Sequence, residues 1–99
     1  MLDFYFIEDN QSQPDYPGQA GLVFAGGLEE KTFCNLQRKG IIGMQFDFYS
    51  DFRLQADVVK QIWQHIFKKQ LQADDDIRQW LFLLDQAVTK QSGLMAYGD

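Results

Sequence analysis

The chain has 99 residues, a net charge of −5, one cysteine and an apolar content of 45%. That is enough for one domain, residues 1–99, burying roughly two thirds of the surface exposed when unfolded, and the apolar content argues against disorder. The acidic balance argues against nucleic-acid binding, which relies on Lys and Arg to displace counterions, and no stretch approaches the roughly 20 apolar residues of a membrane span.

Charge is uneven: residues 1–53 carry eight acids against four bases, and residues 54–99 six against five. A lone cysteine excludes an intramolecular disulfide framework and fits a reducing compartment. The start, MLDFYFIED, has no basic segment and too short an apolar run for a signal peptide. The expected location is therefore the cytoplasm.

Residues 2–7, LDFYFI, alternate as a strand, with Leu2, Phe4 and Phe6 on one face and Asp3, Tyr5 and Ile7 on the other. NQSQPDYPGQAG (10–21) is dense in turn formers, too long for a tight hairpin, and reads as a projecting loop. A short strand is expected at 21–25. The following LEEKTFCNLQRKG has Glu29 and Glu30 in a first helical turn, Arg38 and Lys39 in the last, and Gly40 to close it.

FDFYSDFR (46–53) alternates as a strand, placing Phe46, Phe48 and Phe52 on one side and Asp47, Tyr49, Asp51 and Arg53 on the other. Two longer helical patterns follow. Residues 55–71 carry the stripe Val58, Val59, Ile62, Trp63, Ile66 and Phe67; the second, from ADDD to about Gln91, carries Ile77, Trp80, Leu81, Leu84, Ala87 and Val88. Gly93 would end the second helix. The tail LMAYGD either frays or docks through Leu94, Met95 and Tyr97, and the sequence leaves both open.

The expected architecture is α+β, with a small sheet of about three strands, a crossover helix and a C-terminal antiparallel helical hairpin. Its order is β-β-α-β-α-α. If the strands at 21–25 and 44–52 are parallel neighbours, the helix between them is a right-handed crossover.

Catalytic signals are weak throughout. On a straight strand Asp47 and Asp51 would lie about 13 Å apart, too far to share an ion or to act as a glycosidase pair. Asp51 and Arg53 are instead expected to form a surface ion pair. Asp74, Asp75 and Asp76 diverge on entering a helix and read as a cap, not a metal site. The glycines of FAGGLEEK lack the lysine and hydroxyl of a phosphate loop, and Glu29 and Glu30 would repel a phosphate. Cys34 and His65, the only thiol and imidazole, cannot build a zinc motif and read as structural, with Cys34 half-buried.

Neither cofactor nor metal is expected, and no enzymatic activity. The leading expectation is a small acidic interaction module that binds a basic protein, in the manner of an immunity or antitoxin-type inhibitor. Its expected contacts are Glu8, Asp9, Asp15, Tyr16, Asp47, Tyr49 and Asp51. Phe82, nearly opposite the stripe of its helix, suggests a second interface with Arg78 and Asp85, and with it a homo-oligomer. A third expectation is a small ligand-binding domain or enzyme with a pocket between sheet and helices, for which no polar pair is evident.

Overall fold

The computed structural model describes residues 1–98. Strand β1 (Leu2–Ile7) pairs antiparallel with β2 (Val23–Leu28) on one side and with β4 (Gly93–Tyr97) on the other. Strand β3 (Phe52–Leu54) adds antiparallel to the far side of β4, so the sheet runs β2-β1-β4-β3. Helices α1 (Pro17–Ala20), α2 (Glu30–Arg38), α3 (Ala56–Lys68) and α4 (Asp75–Lys90) complete the chain.

The α+β class agrees with the sequence, but the sheet has four strands and no parallel crossover. Helix α2 instead leads from one sheet edge to the other. The tail is the largest departure: it supplies β4, a central strand buried from Gly93 to Ala96.

Alternation in β1 puts Leu2, Phe4 and Phe6 on one sheet face, joined by Leu94 and Ala96 of β4 and Leu54 of β3. These side chains share one core with Phe33 and Leu36 of α2, Val59 and Ile66 of α3, and Ile77, Trp80, Leu83, Leu84 and Ala87 of α4. Leu83 lies outside the stripe expected for α4, while Val58 and Phe67, within the stripe expected for α3, are 36% and 39% exposed. Each fully buried large apolar side chain contributes about 1.5–3 kcal/mol, so this face carries most of the stability.

Residues 8–16 do not project. They cross the opposite sheet face as a strap, with Pro14 buried. Arg53 holds the strap: Nη1 donates to the Gln11 carbonyl at 2.8 Å, and Nη2 to those of Glu8 at 2.7 Å and Asp9 at 3.2 Å. Tyr97 donates its hydroxyl to the Pro14 carbonyl at 2.9 Å. Met95 is thereby buried on the side away from the helices. The expected Asp51–Arg53 ion pair does not form, because the strap carbonyls take the guanidinium.

The segment 46–51 is not a strand either. Phe46 N donates to Gly43 O and Ser50 N to Asp47 O, so the chain makes successive turns. The Asp47 carboxylate fixes the second by accepting from Tyr49 N at 3.0 Å, a bond Asp makes readily in turns. The phenylalanines still converge: Phe46 and Phe52 lie 4.7 Å apart between ring centroids, and Phe33 and Phe48 5.6 Å.

Helix ends follow the sequence more closely. Gly40 at φ 75° follows α2, and the Asp74 carboxylate caps α4 by accepting from Asp76 N and Ile77 N at 3.0 and 3.1 Å. At its other end α4 closes on Gln91 (φ 55°), not on Gly93. Gly93 begins β4, because a Cβ there would lie 2.3 Å from the Leu54 carbonyl oxygen.

Candidate functional site

The acidic residues singled out in the sequence divide between two ends of the sheet. Strands β1 and β3 both run antiparallel to β4, so the end of β1 and the end of β3 lie together. Glu8 and Asp9 fall there. The Asp9 carboxylate accepts from Ala56 N at 2.9 Å and so secures the start of α3. Glu8 and Asp9 thus stand apart from the other expected contacts.

Asp15, Tyr16, Asp47, Tyr49 and Asp51 belong to the opposite end, where β1 begins and β4 finishes. Asp51 accepts from Gly98 N at 3.1 Å, and Gly98 sits against the backbone of residues 48–50. This contact joins the turn carrying Asp47 and Tyr49 to the end of β4. The strap delivers Asp15 and Tyr16 to the same place through the Tyr97–Pro14 bond.

Electrostatics at this end follow from the crowding of acids. Partial burial raises the Tyr97 phenol above its ordinary 10.0, and the negative fields of Asp51 and Asp15 reinforce it. Tyr49 donates its hydroxyl to Glu30 Oε2 at 2.6 Å. That bond is the main cause raising the Tyr49 phenol, with smaller effects from desolvation and from the Glu30, Cys34 and Asp47 charges. Both phenols therefore stay protonated and can donate.

Two members of this end were not foreseen as contacts. Asp3 lies directly across from Tyr97 in the β1–β4 pairing. Glu30 reads in the sequence as a helix-dipole residue, yet it meets Tyr49 across 19 residues of chain. For Asp3 the alternation of β1 did mark its face; for Glu30 no local pattern could have found the partner.

Among the described residues the ion pairs are Lys39 with Asp74 at 2.7 Å and with Asp76 at 3.3 Å, and Arg78 with Asp75 at 3.8 Å. None involves Asp3, Asp15, Glu30, Asp47 or Asp51. The acidic end therefore keeps its charge unneutralised by any lysine or arginine side chain.

The residues of the second expected surface are only partly brought together. Phe82 is 64% exposed and, with Arg78, Gly26 and Gly27, lines a shallow groove between α4 and the open edge of β2. Asp85 is not part of it: its carboxylate accepts from Trp63 Nε1 and ties α4 to α3. Cys34 is exposed, not half-buried. No group of His, Cys, Asp and Glu side chains among the described residues gathers as metal donors. No helix among them is long and apolar enough to cross a membrane.

No family model matches the sequence, and neither the curated proteins nor the solved structures give a significant match.

Proposed function

We propose that this chain is a non-enzymatic protein-interaction module whose acidic end docks on a basic protein. The supporting observation is that Asp3, Asp15, Glu30, Asp47 and Asp51 lie around two donor phenols and none is paired with a cation inside the described chain. Such an end steers a cationic partner and offers it carboxylate acceptors at little cost in broken internal pairs. An inhibitor that covers a cationic active site, as an immunity or antitoxin protein would, is the concrete form this takes in a small acidic chain. Cytoplasmic action fits the lone exposed cysteine.

The test must spare the turns that Asp47 and Asp51 hold. Asparagine keeps their acceptor oxygens and removes the charge, so Asp15→Asn, Asp47→Asn and Asp51→Asn are combined. Affinity capture from the native host's lysate at moderate salt should return a basic protein with the parent chain and lose it with the triple variant. Retention by the variant, or capture insensitive to salt, would refute the reading.

A second reading is favoured by one observation: Phe82 stands exposed beside the unpaired β2 edge. A homo-oligomer through that edge has a structural or regulatory role, and Phe82→Glu then lowers the mass seen by light scattering. An unchanged mass rejects it.

A further inference from the structure

Strand β2 ends the sheet, so its outer edge carries backbone N–H and C=O groups that no other strand takes up. Native sheets blunt such edges with short strands, charges, prolines or bulges. The opposite edge, β3, is only three residues long. Strand β2 has six, VFAGGL, with neither charge nor proline, and its one irregularity is the bulge between Phe24 and Gly26. Val23 and Phe24 on the strand, and Phe82 beside it, are each more than half exposed. The edge is thus apolar and open to a further strand.

The two sides of this edge differ in chemistry. Gly26 pairs with Phe4 and so faces the helices, where it lines the groove with Leu83, Phe82 and Arg78. A Cβ on Gly26 would run into the Leu83 side chain, so the glycine lets α4 close on the strand. That side is apolar, and its one charge, Arg78, disfavours a second cation. Gly27 pairs with Asp3 and faces the strap side. Because Gly27 has no side chain, Asp3 Oδ1 reaches over β2, 3.3 Å from where a Cβ would stand. No ion pair among the described residues uses Asp3. Phe24 is on the same side, its ring 5.3 Å from that of Tyr5, and the exposed Glu29 follows directly after the strand.

We propose that β2 receives an extended segment of the basic partner as a further strand of this sheet. Its apolar side chains lie on the helix side against Phe82 and Leu83, and its lysines or arginines lie on the strap side against Asp3 and the Phe24 ring. Side chains of a strand alternate between faces, so the segment recognised alternates apolar and basic residues. Charge decides the occupant. A second copy would offer β2 itself, which has no base to set against Asp3. The inference rests on the docking reading above and adds to it how the partner is held and what sequence it presents.

The probes are three acetylated and amidated peptides, KVKVKVK, its block isomer VVVKKKK and the acidic EVEVEVE, titrated into the ¹⁵N-labelled parent chain at low salt. KVKVKVK should shift the amide resonances of residues 23–28 saturably and slow their hydrogen exchange, with an affinity that falls as salt is raised. VVVKKKK has the same composition and charge without the alternation and should bind roughly tenfold more weakly. EVEVEVE should not bind. Asp3→Asn should weaken KVKVKVK about two- to fivefold, the effect of one surface ion pair. Equal binding of the two isomers, or no slowing of exchange at 23–28, would overturn the inference. So would protection of 23–28 that grows with protein concentration and needs no peptide, which gives the edge to a second copy. If KVKVKVK fails while the Asp15, Asp47 and Asp51 triple variant still loses its captured partner, the strand-addition mode falls and the docking reading stands.

Discussion

Gly93→Ala tests the feature least expected from the sequence, the insertion of the tail as a central strand. Gly93 pairs with Ile7 at the start of β4 and is buried. A methyl group there would lie 2.3 Å from Leu54 O, 3.2 Å from Gln55 Cα and 3.3 Å from Ala56 N. The first contact is more than about 1 Å inside ordinary van der Waals distance. All three atoms are backbone at the β3–α3 junction, so no side chain can rotate away, and either β4 or the junction must shift. Overpacking of this kind costs about 1–3 kcal/mol, and a rigid neighbour favours the upper part of that range. For a domain of this size each kcal/mol moves Tm by about 4–8 °C, so calorimetry should record a fall of roughly 10–20 °C. Gly18→Ala is the control. Its Cβ would meet only the Tyr16 ring at 3.7 Å, and in the short helix α1 it should leave Tm unchanged or slightly higher. If Gly93→Ala matches that control, β4 does not lie against the β3–α3 junction and the sheet order is wrong.

Two further outcomes follow from the strap and the α4 cap. Arg53→Met removes the donors that hold Glu8, Asp9 and Gln11 and should cost about 1–3 kcal/mol. Faster hydrogen exchange at residues 8–15 should accompany the loss; unchanged exchange there would mean that the strap is held by other contacts. Asp74→Ala should cost about 1 kcal/mol by uncapping α4, whereas Asp74→Asn retains the cap and removes the charge. The Lys39 ammonium is the main cause holding the Asp74 carboxyl below its ordinary 3.8, so its ionised form is the one favoured by folding. That contribution is present in full well above pH 3.8 and disappears as pH falls through the lowered value. The difference in stability between parent and Asp74→Asn should therefore be visible at neutral pH and close in acid. A difference that widens below pH 3.8 would reverse the assigned sign.

The sequence by itself determined those features whose physics acts over a few residues. Alternation marked the two faces of β1, end signals located α2, helical periodicity located α3 and α4, and Asp74 and Gly40 marked helix ends because a cap and a left-handed turn need only adjacent backbone. The position of Phe82 opposite its helical stripe was also legible, though its exposure was not. Asp15, Tyr16, Asp47, Tyr49 and Asp51 were found as candidates by residue type, but their gathering was not. That Asp9 also secures the start of α3 could not be read from the sequence, because its acceptor role depends on Ala56, 47 residues away.

Only the tertiary structure decided what the alternating phenylalanines of 46–53 meant. Turns and a strand can both bring every second ring to one core, and the choice fell to the Asp47 carboxylate and to Phe33 and Phe52 as neighbours. It also decided that Gly93–Tyr97 is a central strand. A five-residue apolar segment has too little local preference to declare itself; it becomes a strand because β1 and β3 each offer an unpaired edge on either side of it. The buried Trp80 indole N–H, which has no hydrogen-bond partner among the described residues, belongs to the same class. An indole in an apolar stripe looks like core in any sequence, and whether its N–H finds an acceptor depends on packing against residues distant in the chain, such as Phe4.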